Sequence, residues 1–353
     1  MRHAEGRSAG PAFVRSGWTS EVSRLSCRTA ASWLVASALC ATIGSALVAQ
    51  TSPSRDDLDV VQVRPDVYMI AGAGGNVAAH IGPAGVVVVD SGSGPSAAAV
   101  LTAIRRLTAR PIRYVINTSD DADHVGGNGV LSKAGQTILG FQGSSGVSED
   151  VYTSGGAASV LAHENVLARI SGTSSAFPSS AWPTKTYTGR SYSMYLNGDG
   201  IQVQHMPAAH SDGDSIVSFR RADVIVSGDI VDTTRFPVID TAKGGSIQGE
   251  IDALNRLVEM MIPPFPLRWR EERTYVIPGH GFVADYGDVV EYRNVVTIVR
   301  DRVQDMVGRG MTLEQVKAAD PTKGFRKRYG SDSGAWTTDM FVAAVFDGLS
   351  RRK

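Results

Sequence analysis

After residue 55 the chain alternates between short apolar runs and amphipathic stretches. DVYMIAG (66–72), NVAAHIG (76–82) and GVVVVDSG (85–92) are strand-like runs separated by Gly, Pro and Asn, the pattern of an antiparallel meander. Pro95 then opens PSAAAVLTAIRRL, where Val100, Leu101, Ile104 and Leu107 recur at helical spacing. IRYVIN (112–117) is a further strand, followed by a helix from about His124 to Lys133 and another around 155–170. The second half repeats this order. TKTYTG (184–189), IQVQHMP (201–207), DSIVSF (214–219) and ADVIVSGD (222–229) are strands, and a helix at 246–261 leads to the strand TYVIPG (274–279). The remainder is helical, with Thr312 and Gln315 at capping-box spacing and a last helix near 336–350. Two comparable halves of mixed strands and helices predict one α/β domain over residues 50–353, two sheets with helices outside and a helical extension from about 284.

Composition changes the picture at the N-terminus. The chain of 353 residues has 35 Lys and Arg against 35 Asp and Glu. The balance hides a leader of +3 (five Arg, two Glu in residues 1–49) and a remainder of −3. Residues 33–49, WLVASALCATIGSALVA, are apolar or small, preceded by Arg24 and Arg28, and followed by a polar run. That is the layout of a secretory signal peptide, with cleavage after Ala46 or Ala49. An uncleaved N-terminal anchor is the alternative. The expected location is therefore periplasmic or secreted. Cys27 and Cys40 both lie in this leader. The mature chain would then have no thiol, which excludes cysteine catalysis and thiolate metal sites. No basic field favours nucleic acid, so a small molecule is the expected partner.

The densest polar cluster runs Thr118-Ser119-Asp120-Asp121-Ala122-Asp123-His124-Val125-Gly126-Gly127-Asn128, directly after an apolar strand. Ligand sites in α/β sheets lie beyond strand C-termini. Three carboxylates and an imidazole within five residues repel one another unless a cation relieves them. A solvated acidic loop capping a helix is the plainer alternative. His210 in HMPAAHSDGD, Asp229 closing VIVSGD and His280 in VIPGHG are further ligand-type residues, each read at the end of a strand. Of the other histidines, His80 reads as mid-strand, His163 as mid-helix and His205 as structural. Gly92-Ser93-Gly94-Pro95-Ser96-Ala97 fits a dinucleotide fingerprint, but Pro95 at a first helical position explains it as a strand-to-helix turn. No G-x-S-x-G, Walker A or H-E-x-x-H pattern occurs.

In this order, DxDH-x-GGN, PAAHSDGD, SGD and PGHG resemble the metallo-β-lactamase superfamily over roughly residues 60–300. The resemblance implies a four-layer αββα sandwich with a metal site at one edge of its sheets. It assigns Asp123, His124 and His280 to the second metal, His210 to the first, Asp229 to the bridging carboxylate and Asp90 to support from behind. The family's His-x-His-x-Asp-His is here Ser119, Asp121, Asp123 and His124. A hydroxyl is a poor zinc ligand, and a carboxylate suits harder cations such as Fe or Mn.

Two mechanisms follow. In one, a single zinc ion on Asp123, His124, His280 and Asp229 lowers the pKa of its water so that hydroxide attacks a carbonyl, with Asp121 or His210 as base or guide. In the other, Asp121 and His210 join a two-ion site bridged by Asp229. The implied activity is metal-dependent hydrolysis of an ester, lactone, thioester or amide bond, a β-lactam among the candidates. The competing reading is a non-catalytic binding protein with a degenerate metal site. Segment 141–183, rich in Gly and Ser, is the expected substrate-facing insertion, a plain surface connection being the alternative.

Overall fold

The computed structural model describes residues 58–139, 153–172, 177–264 and 273–350. The leader with both cysteines and residues 140–152 and 173–176 of the expected insertion lie outside the described residues.

Strands β1 (Asp59–Arg64), β2 (Val67–Ala73), β3 (Gly75–Gly82) and β4 (Gly85–Val89) form the antiparallel meander. Helix α1 (Ala97–Leu107) crosses over to β5 (Ile112–Ile116), parallel to β4. Helices α2 (Ala122–Val125) and α3 (Asn128–Ala134) follow, then β6 (Thr137–Leu139), which pairs with β7 (Thr153–Gly155). Strand β8 (Ser159–His163), helix α4 (Glu164–Ile170) and β9 (Lys185–Tyr187) complete a seven-stranded sheet in the order β1-β2-β3-β4-β5-β8-β9. The second sheet is β10 (Ser191–Leu196), β11 (Asp199–His205), β12 (Ser215–Phe219), β13 (Val224–Asp232) and β14 (Tyr275–His280), antiparallel except for the last pair. Helix α5 (Ile247–Met260) links β13 to β14, and α6 (Tyr286–Gly308), α7 (Leu313–Ala318), α8 (Arg326–Tyr329) and α9 (Thr338–Ser350) close the chain.

The valine run of β4 shows why this becomes four layers. Val87 and Val89 join Ile116, Leu161, Val203, Val217 and Ile277 in the core between the sheets. Val86 and Val88 point the other way and pack with Val100, Ile104 and Leu131 of α1 and α3. A strand covered on both faces is apolar at every position rather than at alternate ones. On the far side, Ile216, Ile225 and Val276 pack against Leu254 and Leu257 of α5, Val296 and Val299 of α6 and Phe341 of α9. The architecture is the αββα sandwich.

Four expectations are corrected. The helix placed at 155–170 is a helix only from Glu164, because residues 159–163 are a strand. SVLAH is a short apolar run that periodicity cannot assign. Pairing with β5 and burial of Val160, Leu161 and Ala162 decide for the strand. His163 therefore ends a strand rather than sitting mid-helix, and its Nδ1 accepts from the Asn165 backbone to cap α4. Segment 141–183 is accordingly no simple insertion, since β8 lies inside the sheet between β5 and β9. Finally, Asp229 does not end its strand. β13 runs on to Asp232, and the irregular register around Gly228 turns Asp229 out of the ladder.

Candidate metal centre

The strands that bear the site all end at one edge of the sandwich. β5 runs into the Thr118–His124 loop, β4 into Asp90, β11 into the His210 loop, and His280 is the last residue of β14. Asn76 of β3 joins the sheets there, its side-chain amide donating to the Pro278 and Gly281 carbonyls at 3.0 Å each.

The two glycines of the GGN triplet act through their backbone, and Asn128 through its side-chain amide, which exchanges hydrogen bonds with Asn117. A Cβ on Gly127 would lie 2.2 Å from the Ser91 carbonyl oxygen, and one on Gly126 would lie 2.4 Å from the Gly94 nitrogen. The turn holding the Gly92–Ala97 motif is thus pressed onto these glycines, as the strand-to-helix reading requires. The same close approach divides the helix expected from His124 to Lys133 into α2 and α3.

Asp90 stands behind His124 with a left-handed backbone, φ 61°. Its Oδ1 accepts from the Thr118 backbone at 2.8 Å, and its Oδ2 accepts from the Thr118 hydroxyl at 2.7 Å and from His124 Nδ1 at 2.8 Å. The buried carboxylate thereby fixes a proton on Nδ1 and leaves Nε2 to face the site. Nε2 of His124 is buried without a hydrogen-bond partner, as is Asp229 Oδ1.

Around that nitrogen the donors converge. His124 Nε2 lies 3.1 Å from Asp229 Oδ2 and 4.0 Å from Asp123 Oδ1. His280 Nε2 lies 3.3 Å from Asp229 Oδ1 and 3.4 Å from Asp123 Oδ2. A Cβ on residue 279 would fall 2.4 Å from Asp229 Oδ1, so the glycine of PGHG leaves that carboxylate its room. Burial pushes the His124 pKa down, but the charges of Asp229 and Asp90 outweigh it and raise it well above the ordinary value. His280 is raised in the same way, burial being offset by Asp229. This half of the site attracts positive charge.

The other half differs. His210 donates from Nδ1 to the Val238 carbonyl at 2.9 Å, while its Nε2 lies 2.9 Å from Asp121 Oδ2 and 3.9 Å from Asp229 Oδ2. Both ring nitrogens face oxygen acceptors, which suits a doubly protonated ring. Asp121 is held below the usual carboxylate range: burial would raise it, but the His210 hydrogen bond and the Lys243 charge prevail. Lys243 bonds Asp121 and lies 3.0 Å from Asp120 Oδ2, and Arg169 lies 3.2 Å from Asp120 Oδ1. The cation that the acidic cluster demands is thus partly built into the chain, a correction to the expectation that a metal ion alone relieves it. Ser119 is buried, and its hydroxyl accepts from the Asp121 backbone at 3.3 Å, a local turn bond. Two ligand-type groups therefore emerge among the described residues, Asp123–His124–His280 and Asp121–His210–Asp229. Asp229 touches both.

Lys243, Arg169 and Glu250 were missed by the sequence reading. Nothing local marks the first two, which lie 122 and 49 residues from the carboxylates they pair with. Glu250, in the first turn of α5, is fully buried, and neither carboxyl oxygen has a hydrogen-bond partner. Burial first, then the charge of Asp214, raises its pKa well above the ordinary glutamate value. Asp214, itself buried, is pushed up to about 7.

A carboxyl that binds its proton more tightly when folded stabilises the fold below its unfolded pKa, relative to higher pH, and loses that advantage as pH rises above it. Glu250→Gln should therefore add roughly 1–3 kcal/mol at pH 8 and almost nothing at pH 4. Urea unfolding at the two pH values measures this, and an equal change at both would refute it.

The model of the metallo-beta-lactamase superfamily matches residues 72–140, from β2 through Asp123 and His124 to just beyond β6. No curated protein is matched. Among solved structures, a metallo-beta-lactamase from Pontibacter korlensis aligns with 68% of this chain and 99% of its own at 16% identity, TM-score 0.50. A stereoselective inverting sec-alkylsulfatase from Pseudomonas sp. aligns with 82% of this chain at 14% identity, TM-score 0.57, and this chain spans half the length of that one. At these identities the likeness is one of fold.

Proposed function

We propose that this chain, of the metallo-β-lactamase superfamily by its fold and by its match over residues 72–140, is an exported one-ion hydrolase that cleaves an ester, lactone, thioester or amide bond. Its place would be the periplasm or outside the cell, as the leader's layout supports.

The observation that carries the reading is the convergence of Asp123, His124, Asp229 and His280 around a buried, unpartnered imidazole nitrogen. Two imidazoles and two carboxylates are a donor set that suits zinc, so the residues fit the group. Bound there, a zinc ion would supply Lewis acidity and bring the pKa of a water molecule toward neutrality. Asp90 would keep His124 in the tautomer that offers Nε2, and Asp229 would orient both imidazoles. His210, carrying a proton on Nε2 beside Asp229, would donate it to an oxyanion or a departing oxygen, nitrogen or sulfur. That role takes the place of the base or guide offered for Asp121 or His210 in the one-ion mechanism. Asp121, tied to Lys243 and His210, would hold that imidazole in place rather than accept protons.

Metal analysis of the purified protein, with turnover of a lactam, lactone, thioester and ester panel, tests this. About one equivalent of zinc is expected, with metal and turnover lost together in Asp123→Ala and His280→Ala. A protein with no bound metal and no turnover on any panel member would instead be a binding protein of the same fold.

A further inference from the structure

We infer that the ammonium of Lys243 permanently takes the place of the first metal ion, which makes the chain a one-ion protein by construction. This rests on the reading of Asp123, His124, Asp229 and His280 as a metal site.

Lys243 is aimed by a built turn. Asp240 Oδ1 accepts from the Ala242 and Lys243 backbones at 3.0 Å each, and Gly244, at φ 84°, ends the turn. The Lys243 carbonyl accepts from the Asp212 backbone at 3.0 Å and from the Arg169 guanidinium at 2.6 Å. The turn is also stitched to the His210 loop, because the Asp240 nitrogen donates to the His210 carbonyl at 2.9 Å. A Cβ on Gly245 would lie 2.1 Å from that same oxygen, so the two segments meet backbone to backbone. The lysine side chain, 28% exposed, leaves this frame for Asp120 and Asp121.

Charge is divided unequally across the site. Asp120 and Asp121 are paired with Lys243 and Arg169. Asp123 and Asp229 have, among the described residues, only imidazoles within ion-pair distance. One half is neutralised by the chain itself and the other is left for an added cation. An ion held by Asp121, His210 and Asp229 would share Asp121 with the ammonium and be repelled by it. The replacements at 119 and 121 fit the same account. A hydroxyl at 119 and a carboxylate at 121 leave few donors for a metal, and the carboxylate is the group a lysine pairs with.

The test is zinc stoichiometry of the full-length protein after equilibrium dialysis, with folding followed by circular dichroism. The wild type and Lys243→Arg should each hold one equivalent. Ser119→His alone, which adds a donor but keeps the ammonium, should also hold one. Lys243→Met with Ser119→His should hold two, since the donor is present and the cation is gone. Lys243→Met alone reports whether the fold survives the loss of the charge. A wild type with two ions, or a folded double variant that stays at one, overturns the role of Lys243 and leaves the second site standing. So does Ser119→His gaining a second ion by itself. A wild type with no ion overturns the metal-site reading and this inference with it.

Discussion

Asp229→Ala should abolish metal binding and hydrolysis together. Asp229 belongs to the group with Asp121 and His210 and also reaches the other, lying within 4 Å of His124, His210 and His280. It is held ionised well below the ordinary carboxylate value: burial opposes this, and the positive charge of His124 leads the groups that overcome it. Without it, Asp123 is, among the described residues, the one carboxylate left between His124 and His280, since Asp90 stands behind His124 and Asp121 is bonded to His210 and Lys243. Loss of groups that merely orient a ligand costs about 10–100-fold in affinity, so loss of a ligand should cost more than about 100-fold. Competition for zinc with a chromophoric chelator measures it. An affinity within a few-fold of the wild type would mean that the ion is held elsewhere.

Asp90 should produce the second largest effect, and its two substitutions should fail differently. Asp90→Ala leaves the Thr118 amide, the Thr118 hydroxyl and His124 Nδ1 without their buried acceptor. Each unpaired buried group costs roughly 1–3 kcal/mol, so a loss of about 3 kcal/mol or more is expected. Alanine must also adopt the left-handed backbone that aspartate and asparagine tolerate better. Asp90→Asn keeps the shape and the backbone preference. With its oxygen on the Thr118 amide, however, its NH2 faces His124 Nδ1 and must donate to it. The imidazole proton then moves to Nε2, the nitrogen that the metal needs. This variant should stay folded while its zinc affinity falls about 10–100-fold. Thermal unfolding of the metal-free proteins and zinc competition separate the two outcomes. Asp90→Asn binding zinc as the wild type does would show that this carboxylate does not set the tautomer.

Much of this was legible along the chain. The valine run of β4 read as a strand of a meander, and Thr312 with Gln315 as a capping box, and the structure contains both. The resemblance implied a site at one edge of the sheets, and the structure brings His124, His210, Asp229 and His280 together, with Asp229 inside β13 rather than at its end. Where periodicity was silent, reading failed. SVLAH lies in a strand because β5 offers a ladder, and β10 escaped notice because its SYSMYL alternation is short and half exposed.

The sequence by itself determined the layered α/β fold and the residue types that bear the chemistry, since apolar periodicity and side-chain identity are local properties. Only the tertiary structure decided how charge is shared among the carboxylates. Lys243 meets Asp121 across 122 residues, Arg169 meets Asp120 across 49, and Glu250 is buried without a partner. Electrostatic pairing depends on distance through space, and no pattern along the chain records it.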